Sequence, residues 1–166
     1  MSPNMFKRLL FVDDEPSIRA TLPVILRRYG FEVSVAATVA EARSLIKAQE
    51  FDLLLCDLNI ERMGDGYEVV RAARQANPQC IVVILTGNPG MDSAIKGIRE
   101  GVDDYIVKPA GADVLVALLA EKLEARKRTA TASKHDAQNL NTPSTNHDES
   151  VTSREGSRPH LDGLPS

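Results

Sequence analysis

Three features of the sequence predict an α/β domain with a five-stranded parallel sheet covered by helices on both faces. Short apolar runs alternate strictly with segments of helical period between residues 5 and 126. Several of the runs are nearly continuously apolar, as strands buried on both faces must be. The segments between them are long enough to cross back over a sheet and connect parallel neighbours, a doubly wound arrangement with right-handed crossovers.

The strands are predicted at Arg8 to Val12, Glu32 to Ala36, Asp52 to Cys56, Cys80 to Leu85 and Asp104 to Val107. The first helix, Pro16 to Tyr29, opens with a proline that suits a first helical position and is followed by Gly30, where a left-handed residue is wanted. Pro23 inside it removes the backbone bond to Arg19, so a kink is expected. The second helix, Val39 to Gln49, is announced by Thr38 and Glu41 as a capping box. Asn77-Pro78 stops the third, Tyr67 to Ala76, and Gly101 closes the fourth, Asp92 to Glu100. The fifth is expected over Ala112 to Arg128, with Val114, Leu115, Leu118, Leu119 and Leu123 spaced for burial.

Composition changes near Arg126. From Lys127 to Ser166 the chain is rich in Ser, Thr, Asn and Pro, and its scattered apolar residues share no period, so residues 127–166 are expected to form a disordered polar tail. His135, His147 and His160 all lie in that tail, without metal-ligand spacing. A net charge of -3 argues against a direct nucleic-acid contact, which needs clustered Lys and Arg. No apolar run reaches the roughly 18 residues a membrane helix needs, and none resembles a signal peptide, so a cytoplasmic location is expected. Cys56 and Cys80, both in strand-like runs, fit a reduced compartment.

Ligands of such sheets bind at the carboxyl ends of the strands. Those ends carry Asp13 and Asp14, then Asp57, then Thr86, then Lys108. Three converging carboxylates repel one another unless a cation sits among them, and oxygen-only ligation favours Mg²⁺. Cys56 should point away from Asp57 by strand alternation, so no soft ligand competes. Lys108 supplies a point positive charge and Thr86 a hydroxyl donor to a phosphoryl oxygen, while Gly87 leaves the approach open. With its charge absorbed in this way, Asp57 is the candidate nucleophile for an acyl phosphate, and the paired Asp13 and Asp14 form the metal platform. Helix-start acids are common, so Asp13, Asp14 and Glu15 alone would say little. Their order with Asp57, Thr86-Gly87 and Lys108-Pro109 carries the reading.

These pieces, Leu10-Phe11-Val12-Asp13-Asp14-Glu15, Leu55-Cys56-Asp57-Leu58-Asn59, Leu85-Thr86-Gly87 and Asp104-Tyr105-Ile106-Val107-Lys108-Pro109, resemble the receiver domain of two-component response regulators over residues 5–126. The resemblance implies a flavodoxin-like (βα)5 fold, stand-alone in the manner of CheY. It also implies that Asp57 takes a phosphoryl group from a histidine kinase or a histidine phosphotransfer protein. Asp13, Asp14, Asp57 and the Asn59 carbonyl would hold Mg²⁺, with Asp14 favoured over Asp13 as the direct ligand. Thr86 and Lys108 would contact the phosphoryl oxygens, Tyr105 would swing inward as Thr86 moves, and Lys108-Pro109 would be cis. Asn59 and Asn88 stand where the family tunes attack by water. One stretch departs from the pattern: Ile60-Glu61-Arg62-Met63-Gly64-Asp65-Gly66 lacks the usual proline and is one residue longer.

A phosphoryl group adds nearly two charges and three acceptor oxygens, enough to draw in Thr86 and move the loop after it. The fourth helix suits such movement, since Gly97 weakens it by roughly 1 kcal/mol relative to Ala and its apolar stripe is only Ala94, Ile95 and Ile98. Its face, with the fifth strand and fifth helix, is the expected surface for a downstream protein target. The alternative function is a small Mg²⁺-dependent phosphohydrolase with an aspartyl-phosphate intermediate, which resembles the haloacid-dehalogenase-like family. That family needs a second Asp two residues after the nucleophile, and Asn59 cannot transfer the proton. A signalling phosphoacceptor rather than an enzyme is therefore expected.

Overall fold

The computed structural model describes residues 7–87 and 90–139, the side chains of 91–93 and 138–139 excepted. The elements run β1 (Lys7–Val12), α1 (Pro16–Arg28), β2 (Phe31–Ala36), α2 (Val39–Ala48), β3 (Leu53–Asp57), α3 (Gly66–Ala76), β4 (Ile81–Thr86), α4 (Met91–Glu100), β5 (Asp104–Val107) and α5 (Ala112–Asn139). The strands form one sheet in the order β2-β1-β3-β4-β5, with every pair parallel. The order reverses between β1 and β3, and that switch point is where such sheets open a crevice.

Alternation along each strand splits the core in two. Leu9, Phe11, Leu53, Leu55, Ile81, Val83 and Leu85 join Leu26 of α1 and Leu115 and Leu119 of α5 in one cluster. Leu10, Val12, Leu54, Cys56, Val82 and Ile84 join residues of α2 and α3 in the other. Both faces of β1, β3 and β4 are therefore dry, which explains their unbroken apolar runs, and each fully buried leucine contributes about 2 kcal/mol. This rigid floor fixes the residues at its carboxyl edge.

Local signals place the boundaries. The Thr38 hydroxyl accepts from Glu41 N at 3.1 Å, and Glu41 Oε2 accepts from Ala37 N at 2.7 Å, a residue earlier than a strict capping box would have it. Gly30 and Gly101 hold φ of 89° and 76°, which only glycine takes without strain. Helix α1 runs on through Pro23, which is buried.

Three expectations change. Strands β3 and β4 each start and end one residue later than predicted, so Asp57 and Thr86 are the last residues of strands and are held by the ladder rather than by loops. Helix α5 continues past Arg128 to Asn139, into the stretch expected to be disordered. Every described side chain beyond Lys127 is exposed there, but Ala125, Ala130, Ala132 and Ala137 with neighbouring Lys and Arg are strong helix formers, so helix persists where burial does not. Exposure along this stretch therefore does not mean loss of helix. The compact unit ends at Thr129, and the residues from Ala130 form a second unit. The rest of the expected tail, including His147 and His160, lies outside the described residues, as does Asn88. Finally, Val114 of α5 and Ile95 and Ile98 of α4 are exposed at 60%, 46% and 78%. Among the described positions of α4, the buried one is Gly97.

Candidate functional site

Asp13 follows β1, and its backbone N–H still bonds to Ala36 O of β2 at 3.2 Å, so the strand register sets its position. It is fully buried. Its two carboxylate oxygens have different partners: Oδ1 accepts from Glu15 N at 2.9 Å, and Oδ2 accepts from Lys108 Nζ at 2.7 Å. Asp57 ends β3, 8% exposed; its Oδ1 accepts from Asn59 N at 3.0 Å and its Oδ2 from Lys108 Nζ at 2.9 Å. Asp14 is exposed. One ligand oxygen from each of Asp13, Asp14 and Asp57 lies within 4.8 Å of the others.

Lys108 is held in place by its own backbone, whose N–H bonds to Thr86 O at 2.8 Å, and the Lys108-Pro109 peptide is cis. Burial pulls the Lys108 ammonium down, but hydrogen bonds and charge from Asp13 and Asp57 more than offset it, leaving its pKa above the usual 10.5. The lysine is therefore a permanent cation. Thr86 is 1% exposed at the end of β4, and a Cβ on Gly87 would meet nothing within 4 Å, so the approach beside the threonine is open. Cys56 is buried among apolar residues and its thiol donates to Asp57 O at 3.2 Å; burial first, then the charges of Asp57 and Asp13, hold its pKa well above 9.0.

The structure thus brings Asp13, Asp14, Asp57 and Lys108 together as the sequence predicted, with Thr86 on the adjacent strand end. Asn59 behaves less simply. Its side-chain oxygen accepts from Gly64 N at 2.9 Å, so the amide clasps the loop between β3 and α3. Gly64 takes a φ of 82° to allow this, and Glu61 Oε2 receives Val39 N of α2 at 3.4 Å. Tyr105 is partly buried against the core, its hydroxyl bonded to that of Tyr67.

Sequence reasoning missed two residues. Gly66 N donates to Leu58 O at 2.9 Å, and a Cβ there would stand 2.3 Å from Asp57 O, so α3 packs directly on the backbone of the strand bearing Asp57. Arg19 donates from Nη1 to Asp13 O at 2.9 Å and braces the β1–α1 turn. The Asp65-Gly66 pair inside a loop was the available signal for the first. For the second there was none, because Arg19 reads as an ordinary helix-surface cation.

A doubly wound sheet with an acidic crevice and one lysine at its switch point defines a receiver-type signalling domain. The chain belongs to the response regulator receiver domain family, whose model matches residues 9–120. The alginate biosynthesis transcriptional regulatory protein AlgB of Pseudomonas putida is 38% identical over 125 residues, which cover 74% of this chain but only 27% of that protein. The photosynthetic apparatus regulatory protein RegA of Rhodobacter capsulatus is 34% identical over 116 residues, 69% of this chain and 62% of that one. Among solved structures, a CheY-like response regulator receiver domain protein of Methanospirillum hungatei superposes with a TM-score of 0.70 at 31% identity, covering 75% of this chain and 98% of its own. The chain therefore spans about a quarter of the AlgB relative and nearly all of the receiver structure. Among the described residues no helix is long and apolar enough to cross a membrane.

Proposed function

We propose that Asp57 accepts a phosphoryl group from a histidine kinase or histidine phosphotransfer protein. A carboxylate oxygen of Asp57 attacks phosphorus, the bond from phosphorus to the donor imidazole nitrogen breaks, and an acyl phosphate forms. The observation that supports this best is the charge imbalance at the crevice, where three carboxylates face one lysine. Such a set fits a hard divalent cation, and Mg²⁺ would be held by Asp13, Asp14, Asp57 and the Asn59 carbonyl, with Asp14 the accessible carboxylate. When bound, Mg²⁺ neutralises charge on the transferring phosphoryl oxygens. Lys108 holds Asp57 in place and meets a phosphoryl oxygen, and the Thr86 hydroxyl donates to another. The chain acts as a cytoplasmic phosphoacceptor without turnover of free substrates.

The signal leaves through α4, β5 and α5, where Ile95, Ile98, Val107 and Val114 stand exposed. Apolar groups gathered on neighbouring elements suit a protein target, and no nucleic acid is contacted directly. Incubation with acetyl phosphate and Mg²⁺ should add one phosphoryl increment to the intact mass, and Asp57→Asn should abolish it. Undiminished labelling of that variant overturns the assignment.

A further inference from the structure

The residue after Gly66 leads from the Asp57 strand end toward β5 and α4. Tyr67 is 3% exposed within the core cluster, and a buried phenol needs a partner for its hydroxyl. Its partner is the Tyr105 hydroxyl of β5. The Tyr105 ring in turn lies over Gly97, where a Cβ would stand 2.0 Å from its hydroxyl oxygen and 2.3 Å from Cε2. Gly97 is thus a notch in α4 that only glycine leaves open. Lys96, the residue before Gly97 in α4, sets its Nζ 4.8 Å from the centre of the Tyr67 ring, a cation–π contact from the same helix. Three elements, α3, α4 and β5, converge on one pair of hydroxyls.

We propose that Tyr67 is a positioning residue that holds Tyr105 in the Gly97 notch and so ties the α4–β5 surface to the loop beside Asp57. The connection is short. Gly66 is packed on Asp57 O and Leu58, Tyr67 follows it in the chain, and Tyr105 follows Tyr67 through the hydroxyl pair. Movement of residues 58–66 is carried to α4 by this route without passing through Thr86, which lies on β4. The tie holds Tyr105 against the core beside α4, the helix that carries Ile95 and Ile98. The signalling consequence rests on the reading of Asp57 as the phosphoacceptor, whereas the tie itself does not.

The chain has three tyrosines and no tryptophan, so ring-labelled tyrosine NMR on the full chain reads the tie directly, with exposed Tyr29 as an internal reference. In the wild type without Mg²⁺ or phosphoryl mimic, the Tyr105 ring signal should stand apart from that of Tyr29. In Tyr67→Phe under the same conditions it should move at least half way toward the Tyr29 position. Gly97→Ala should move it as far in either background. An unmoved Tyr105 signal in Tyr67→Phe overturns the proposal, as does an unmoved signal in Gly97→Ala. On saturation with beryllofluoride and Mg²⁺, the Tyr105 shift should be at least twofold larger in Tyr67→Phe than in the wild type, and equal shifts overturn the coupling. If the mimic binds neither protein, the reading of Asp57 fails, while the comparison without mimic still decides the tie.

Discussion

At the amino-terminal edge of β4 and β5, Asp103 accepts from Val82 N at 2.7 Å, from Arg74 at 2.8 Å and from Arg126 at 3.4 Å, so one carboxylate meets two guanidiniums. Neighbouring Asp104 adds Lys122 at 3.0 Å. The remaining donors of Arg74 are taken by the carbonyls of Pro78, Cys80 and Gly101. At the opposite edge three carboxylates cluster, and Lys108 bonds two of them, Asp13 and Asp57. Both edges use the same residue types, yet one is a closed knot and the other is left electrostatically incomplete. The lesson is that a carboxylate cluster marks a ligand site where the acids outnumber the cations that meet them.

The largest effect expected is at the incomplete edge. Gly66→Ala forces a methyl against the backbone of Asp57 and Leu58, which can yield only by moving the strand end, and should cost about 3 kcal/mol in denaturant unfolding. Acetyl phosphate labelling should fall with it. The next test sets the two edges against each other. Asp103→Ala strips partners from Val82 N and Arg74 and should destabilise by about 1–2 kcal/mol, a figure kept low because the group is partly solvated. It should leave labelling intact. Asp14→Asn relieves like-charge repulsion and should stabilise the metal-free protein by about 0.5 kcal/mol, while Mg²⁺ affinity by titration calorimetry falls at least tenfold. Loss of stability in both variants would erase the distinction.

The smallest effect concerns Cys80, whose carbonyl holds Arg74. Burial pushes its thiol from the usual 9.0 to about 12, Arg74 pulling slightly the other way and Asp103 adding to the rise. The native state therefore keeps a proton that the unfolded chain releases. The resulting stability is complete below pH 9 and is lost as pH rises toward about 12. Unfolding midpoints in Cys80→Ala should be flatter over that window than in the wild type.

Much of this was legible beforehand because the signals are local. The apolar runs, the Thr38 cap and the glycines after α1 and α4 each act within a few residues, and strand order then carries Asp13, Asp57, Thr86 and Lys108 to one edge. What stayed hidden depends on contacts between distant segments. Nothing local distinguishes Gly66 from a turn glycine until α3 is laid against Asp57, or Gly97 from a weak helix position until Tyr105 fills it. Helix α5 was cut short for the opposite reason: its exposed end rests on propensity, whereas the reading relied on burial. The Asn59 side chain was assigned only to the site, because its bond to Gly64 depends on the folded shape of the loop after β3.

Lys108 comes 95 positions after the carboxylate it meets at 2.7 Å. A chain emerging from the ribosome consequently displays all three acids well before their counter-charge is synthesised. Only when the final strand has docked is the charge arrangement of the crevice complete, so its geometry requires that synthesis has passed Lys108 and that β5 has joined the sheet.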